Sequence, residues 1–351
     1  MYEYLTEEEI ESILEEYGDL SEYIKDQVYE YKKETTDFMD GIKYIFFAYL
    51  LSKNDNKKFN AKIEKELLAY EKRVNGRARK GYEAVADITR YVNKVETRKS
   101  SQTLSNEMLS LLKQFDLDTT SIKQENARYI RFVENYYKRT NKTLKKEYIT
   151  EKEYLSKKVD QFDKAEKTVA YKNKDGSIRG YHDIASYDSM IYNTNLTNTG
   201  VQESIKSCIE FNKDVVYVEP HPFSCPMCQE YQGKFYSLTG LTQVYRSQPI
   251  QTYESAVYWN GGGLNHPNCS HIPREADESD EATDLYSTPE WGEKYSAKQK
   301  KQSLELKKKR LRNDNKIYER LENYEAIDKN KQKIKKLNQK IREQKKLMVN
   351  G

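Results

Sequence analysis

Apolar side chains recur at helical spacing through the first part of the chain. A first stripe follows Thr6 and Glu9, whose spacing matches the capping box that begins many helices; its residues are Ile10, Ile13, Leu14 and Tyr17. Further stripes of this kind lie within 23–31 and 129–137, and no proline interrupts this region. Residues 1–165 are therefore predicted to form several long helices that pack on one another or on a partner.

The pattern changes to alternating apolar and polar residues after position 166. Two alternating segments flank Asp175 and Gly176, a dipeptide that favours a tight hairpin turn; they cover 168–171 and 177–181. The further predicted elements are a helix over 184–211 and short strands over 215–218 and 234–237. Residues 166–275 are therefore predicted to form a small α+β domain.

The last part of the chain divides into an acidic stretch and a basic helix. Residues 276–293 are acidic and are predicted to be a linker, with Pro289 as a helix breaker. In 294–351, apolar residues recur at spacings of seven, three and four, which predicts a helix or coiled coil. The whole sequence thus predicts an α+β fold that is predominantly α-helical.

The composition supports this interpretation. Only 36% of the 351 residues are hydrophobic and 33% are charged, which suits long helices that each bury one stripe better than one large core. The most apolar run, 42–51, is shorter than the roughly 20 residues that span a bilayer, and Lys43 interrupts it. We therefore expect no membrane segment.

Charge is segregated along the chain. The first 30 residues hold 11 acids against one base, Lys25, whereas the segment 294–351 holds 20 bases against 7 acids. The acidic start is either a solvated helix face or an arm that docks on a basic partner. The basic tail is either solvated or in contact with nucleic acid or a neighbouring subunit.

Histidines and cysteines cluster in the middle of the chain at spacings typical of a structural zinc site. Six candidate ligands are present: His221, Cys225, Cys228, His266, Cys269 and His271. Structural Zn²⁺ takes four such ligands in a tetrahedron, and a Cys-x-x-Cys turn supplies two of them, here Cys225 and Cys228. The second pair is His266 with Cys269, or Cys269 with His271. With only four cysteines in the chain, a metal site fits better than a disulfide framework.

Two other interpretations of these residues stay open. In one, some of them are ordinary buried cysteines and surface histidines. In the other, the cluster resembles a zinc-dependent nuclease of the HNH type or a toxin-like enzyme domain, which needs a general-base histidine and an open metal position. His221 or His271 would then be the spare histidine, and Glu219 and Glu230 are the acids near the cluster.

Two neighbouring features are assigned structural roles. Cys208 lies between Ile205 and Ile209 on a helix face, which indicates a core thiol. The glycines 261–263 are not followed by the Lys-Ser/Thr pair of a phosphate-binding loop, so they are interpreted as a turn that returns the chain to the metal.

Several short segments resemble the phage minor capsid protein family, in the order in which the family has them. They are 214–218, His221, 228–237, Gly263-Leu264 and 268–271. The hairpin before them, the helix around 187–190 and the basic tail are also similar, so the resemblance covers roughly 165–320. This family is similar to the Mu F-like minor head proteins, which often end in a His-Pro-x-Cys turn. One departure is that Tyr192-Asn193-Thr194 stands where the family usually has an Arg-Thr pair.

The resemblance implies a virion structural protein rather than an enzyme. It implies several copies per virion, inside the capsid or at the portal vertex, and a presence in the host cytoplasm during assembly. The implied partners are the portal protein or the major capsid protein. Viral DNA is a further candidate partner because of the charge of the basic tail. The implied role is in head assembly and in DNA packaging or delivery. The cluster positions that the family shares most correspond to His221, Cys228, Cys269 and His271, with Cys225 and His266 as the Mu F-like elaboration.

Overall fold

The computed structural model describes residues 5–52, 56–93, 120–144, 151–165, 169–172 and 178–349. Over these residues the fold is α+β and predominantly α-helical, as predicted, with three small sheets. The chain divides into two compact units. Unit 1 consists of Met1–Glu30, Gly76–Asp118 and Met190–Ser296, and unit 2 of Tyr31–Asn75, Thr119–Ser189 and Ala297–Gly351. The linear division into four domains stays a prediction.

Long helices form the first part of the chain. They are α1 (Glu7–Tyr17), α2 (Leu20–Leu51), α3 (Asn56–Val92), α4 (Thr120–Leu144) and α5 (Glu151–Ala165). The predicted capping box begins α1: Glu9 N donates to Thr6 Oγ1 at 3.2 Å, and Thr6 N donates to Glu9 Oε2 at 2.8 Å. The helix ends at Gly18, whose φ of 82° suits glycine because it has no Cβ.

The predicted hairpin and the helix after it are confirmed. Strands β1 (Val169–Lys172) and β2 (Ile178–His182) pair antiparallel, while the Asp175-Gly176 turn lies outside the described residues. Helix α6 (Ile184–Glu210) follows. Asp183 caps this helix, because Ser186 N donates to its carboxylate at 3.0 Å.

The second sheet carries the middle of unit 1. Its order is β7-β4-β3-β8, from β3 (Val215–Val218), β4 (Lys234–Ser237), β7 (Gln251–Thr252) and β8 (Pro273–Glu275). The first two match the predicted strands residue for residue. β3 pairs antiparallel with β4 and β8, and β4 pairs parallel with β7. The connections contain β5 (Val244–Tyr245), β6 (Gln248–Pro249), α7 (Pro226–Gln229), α8 (Tyr253–Ala256) and a 3₁₀ turn, Tyr258–Asn260.

Asp214, directly before β3, closes the loop that follows β4. Its carboxylate accepts hydrogen bonds from Ser237 Oγ at 2.8 Å, from Thr239 N and Oγ1 at 2.8 and 2.7 Å, and from Thr242 N at 3.2 Å. Burial opposes ionisation, but these hydrogen bonds outweigh it and lower the pKa of Asp214 to about 2.

One hydrophobic core joins α6, the sheet and the cysteine loops. Val201 and Ile205 of α6 pack with Val216 and Val218 of β3, and the same cluster contains Cys228 and Cys269. Cys208 lies in this core with 1% of its surface exposed, as predicted for a core thiol. Packing against the sheet therefore positions the backbone that carries the candidate ligands.

Unit 2 has an aromatic core and a buried ion pair. Phe59 stacks on Tyr137 with ring centroids 3.9 Å apart, and Phe46 meets Tyr137 edge to face. Nearby in the sequence, Lys43 is buried, and its Nζ lies 2.6 Å from Asp314 Oδ1. The lysine that interrupts the apolar run is therefore a paired interior residue of this unit.

The basic tail is helical, as predicted, but its boundaries differ. It forms α9 (Pro289–Arg320) and α10 (Tyr324–Val349). The prediction that Pro289 breaks a helix is wrong: proline begins α9, where its missing N–H would have no intrahelical partner and its fixed φ is already helical. The break between the two helices includes Glu322, at φ 54°. None of the helices in the described ranges has the length and apolar character needed to cross a membrane.

Candidate metal centre

A tight turn brings the first two cysteines together. Cys225 is the N-cap residue of α7, and Pro226 occupies the first helical position. Cys228 N and Gln229 N both donate to Cys225 O, at 3.0 and 3.2 Å. As a result the Sγ atoms of Cys225 and Cys228 lie 3.4 Å apart.

A second turn presents the distant candidates. Cys269 N donates to His266 O at 2.8 Å, and the turn passes through Asn268 at φ 77°, a conformation that asparagine tolerates. His271 N then donates to Cys269 Sγ at 3.4 Å. His266, Cys269 and His271 are all buried, with 7%, 2% and 3% of their surfaces exposed.

Five of the six candidates form two overlapping groups of donor atoms that share Cys228. The groups are Cys225, Cys228 and His266, and Cys228, Cys269 and His271; within each, the donor atoms lie within 4.8 Å of one another. His266 Nε2 lies 3.0 and 3.3 Å from the sulfurs of Cys225 and Cys228, and the sulfurs of Cys228 and Cys269 are 3.7 Å apart. Zinc bonds of about 2.3 Å to sulfur and 2.0 Å to nitrogen give tetrahedral edges of about 3.5–3.8 Å. The cluster could therefore hold a metal ion.

The electrostatics of the cluster favour the thiolate, the form of cysteine that binds metal, at Cys225 and Cys269. Hydrogen bonding with Cys228, and then with His266, lowers the pKa of Cys225 to about 4 although burial opposes the shift. Burial likewise opposes ionisation of Cys269, yet hydrogen bonds with Cys228 and His271 hold its pKa well below the ordinary value. The neighbouring sulfurs raise the pKa of Cys228, so a metal would have to displace its proton.

The two histidine rings of the donor groups each have one nitrogen tied to another protein atom. His266 Nδ1 lies 2.7 Å from Pro267 O, which leaves Nε2 toward the sulfurs. His271 Nε2 lies 3.0 Å from Gln232 Oε1, which leaves Nδ1 at 3.7 Å from Cys269 Sγ. Such partners fix the tautomer and orientation of metal-binding histidines.

His221 lies beside the cluster, outside both donor groups. Its ring stacks on that of His271 with centroids 4.6 Å apart, and its backbone N–H donates to Gln232 Oε1 at 3.2 Å. Ser224 Oγ also donates to Gln232 Oε1. The fully buried Gln232 thus ties both histidines to the loop that carries Cys225.

Helix α6 holds the second turn from another direction. Asn193 Nδ2 and Thr197 Oγ1 both donate to Cys269 O, at 2.8 and 2.7 Å. Asn193 thus anchors the backbone of a candidate ligand. No sequence motif predicts these contacts, because 76 and 72 positions separate Asn193 and Thr197 from Cys269. None predicts the role of Gln232 either.

The glycine turn passes close to the first cysteine turn. Gly263 N and Leu264 N both donate to Ala256 O at 2.9 Å. A Cβ on Gly263 would lie 2.0 Å from Met227 O, so only glycine allows this approach. The turn therefore brings the chain back from α8 to His266.

Fold and site together define a predominantly helical α+β protein with a buried Cys/His cluster able to hold a metal. The sequence comparison then gives the family. The pattern of the family described as phage minor capsid protein 2 matches residues 78–344, more than half of the chain. The chain belongs to this family, in agreement with the resemblance, and it is a virion structural protein. No curated protein and no solved structure matched it in two further comparisons.

Proposed function

We propose that the cluster is a structural zinc site that staples the α+β part of a virion protein. The observation that carries the proposal is the convergence of five buried or half-buried Cys and His donors from two turns. Cys225, Cys228, His266 and Cys269 are the proposed ligands, because the first three have the shortest separations and Cys269 lies next to Cys228. Bound zinc would supply cross-linking and folding energy.

Zinc analysis and chelation of the full chain test this proposal. We expect one zinc per chain and loss of unit 1 structure on chelation. Cys228→Ser should abolish zinc binding, whereas Cys208→Ser, a matched change at a buried thiol outside the cluster, should retain it. A metal-free chain with its native near-UV circular dichroism and melting temperature would contradict the proposal.

The two imidazoles give the ligand set a separate test. His266→Ala should remove a ligand, and zinc affinity should fall more than in His271→Ala. We expect the latter to weaken binding by about 10–100-fold, as is usual for a residue that orients ligands. The reverse order would assign His271, rather than His266, as the fourth ligand.

In the virion, we propose a position at the portal vertex or on the inner capsid, with several copies that aid head assembly and DNA packaging or delivery. Family membership and the acidic start of the chain support this position. The helical region 1–165 would dock on the portal or the major capsid protein. Cross-linking mass spectrometry of intact virions should join lysines of this region to one of the two. Cross-links confined to tail proteins would argue against it.

The basic tail is proposed to contact viral DNA. Exposed bases line α10, with Glu343 as the acid among them: Lys333, Lys335, Lys336, Lys340, Arg342, Lys345 and Lys346. From the first to the last the helix rises about 20 Å, a length that matches roughly six phosphates of one strand. Between Lys333 and Lys346, few large apolar side chains of the kind that dominate protein–protein interfaces are exposed.

A charge-matched pair of variants tests the contact with DNA. Changing Lys333, Lys336 and Lys340 to Glu should weaken binding to duplex DNA. The slope of the logarithm of the binding constant against the logarithm of salt concentration should become shallower by about 3. The control carries the same three changes on the exposed face of α3, at Lys57, Lys65 and Lys72. Equal affinity of the two variants would remove DNA as the partner of the tail and leave a neighbouring subunit.

A zinc-dependent nuclease or toxin-like domain is the alternative hypothesis. Membership of a structural capsid family favours a non-enzyme. His221 and His271 are 1% and 3% exposed and are tied to Gln232, so neither is placed to reach a polynucleotide. Cleavage of plasmid DNA that is lost in His271→Ala, with zinc retained, would favour the enzyme.

A further inference from the structure

The first turns of α2 contact both loops that carry the candidate ligands. Ser21 Oγ donates to Ser270 O at 2.8 Å, and Ser270 lies between Cys269 and His271. Lys25, one turn further along α2, reaches the other loop: its Nζ donates to Phe223 O at 3.1 Å. One helix thus contacts the backbone of two loops that are distant from each other in the sequence.

Lys25 also contacts the stacked histidines. Its Nζ lies 3.2 and 3.1 Å from the Nδ1 and Nε2 atoms of His221, whose ring packs on His271. Glu22 neutralises the ammonium at 3.2 Å, and both side chains are only 20% exposed. Because little of the Lys25 side chain contacts water, the position of its ammonium group is fixed by these protein partners.

The neighbouring residues at the start of α2 are buried. Ile24 is fully buried and Tyr23 is 8% exposed. Two further polar contacts within unit 1 involve α1 and the residues just before it: Leu5 N donates to Asp87 at 3.0 Å, and Tyr91 donates to Glu11 at 2.7 Å. The ligand loops therefore form part of the surface that the start of α2 contacts.

We propose that Ser21 and Lys25 are positioning residues of the metal centre, and that metal binding and the seating of residues 5–30 stabilise each other. The inference rests on the proposed zinc site. Residues that hold ligand loops in place typically change metal affinity by about 10–100-fold. Linkage is reciprocal: packing of residues 5–30 on the ligand loops strengthens zinc binding by the same factor by which zinc favours that packing.

Helix α6 also holds the second turn. Asn193 and Thr197 hold Cys269 O independently of α2, so the second turn keeps an anchor when the α2 contacts are removed. Loss of Ser21 and Lys25 should therefore shift the loops and weaken zinc binding without unfolding unit 1.

The test compares full-length Ser21→Ala/Lys25→Met with wild type and with Lys80→Met, the same lysine change at an exposed position of unit 1. Zinc affinity is measured by competition with a chromophoric chelator, and folding by circular dichroism. We expect the double variant to bind zinc at least about tenfold more weakly with an unchanged spectrum, and Lys80→Met to match wild type.

Hydrogen–deuterium exchange measures how firmly residues 7–30 are packed. With zinc present and exchange in β3 and β4 still slow, the double variant should show faster exchange across 7–30 than wild type. Chelation of wild type, which should loosen unit 1 as a whole, should speed exchange across the same residues. Zinc affinity in the double variant equal to that of wild type, or exchange in 7–30 that ignores chelation, would overturn the coupling. A wild-type chain that binds no zinc would instead overturn the proposed function, so the two failures are distinct.

Discussion

The buried pair of Lys43 and Asp314 makes the stability of unit 2 directly testable. The side chains are 3% and 7% exposed, and 2.6 Å separates Nζ from Oδ1. At an effective dielectric constant of about 20, two unit charges at that distance attract by roughly 6 kcal/mol. Desolvation of both groups offsets most of this attraction, so the pair itself contributes little net stability.

Removing one partner has a different effect from removing both. Lys43→Met leaves the Asp314 carboxylate buried without this cation, and we expect the free energy of unfolding to fall by about 3–5 kcal/mol. Lys43→Met/Asp314→Leu removes both charges and keeps apolar volume, so it should recover most of that loss. Urea unfolding followed by far-UV circular dichroism measures the single variants, the double variant and their coupling.

An exposed ion pair supplies the control for this cycle. Lys329 and Glu325 lie 2.5 Å apart on α10 and are 66% and 78% exposed. Lys329→Met should leave the free energy of unfolding essentially unchanged, because water screens this exposed pair. If Lys43→Met proved as mild as Lys329→Met, the argument from burial would be refuted.

Three smaller predictions concern local structure. Asp214→Ala should cost about 1–3 kcal/mol near neutral pH. Because folding lowers the pKa of Asp214 to about 2, its contribution in wild type is full above about pH 4 and is lost as the pH falls towards 2; an equal cost at pH 2 and pH 7 would contradict this. Gly263→Ala should lower both zinc affinity and melting temperature through the clash with Met227 O, whereas Gly261→Ala, at φ 93° in open space, should cost only about 1–2 kcal/mol of strain without changing affinity. Thr6→Ala should reduce the stability of α1 by about 1 kcal/mol, seen as faster amide exchange at its first turn.

The elements that the sequence predicted well are those whose causes are local. The capping box of Thr6 and Glu9 needs only a spacing of three residues, and the strands Val215–Val218 and Lys234–Ser237 are short runs rich in apolar side chains. The Cys-x-x-Cys turn is equally local. Its two sulfurs meet because one turn of chain brings them together.

The parts that were missed depend on residues far apart in the chain. Lys43 interrupts an apolar run in the sequence, and its partner Asp314 lies 271 positions away. Ser21 and Ser270 are separated by 249 positions, and no periodicity links them. The edge strand Gln251–Thr252 has two polar residues, so its place in the sheet comes from pairing with β4 and not from its own pattern.

The contact between Ser21 and Ser270 also sets an order of events during synthesis. At about 5–20 residues per second, α2 leaves the ribosome roughly ten to fifty seconds before the loop that receives it. During that interval the acidic first helices lack the contact that Ser21 makes with Ser270 O in the finished protein. A nascent chain halted before Ser270 would therefore expose these helices to chaperones, proteases or an assembling partner, and completion of the second cysteine turn would end that exposure.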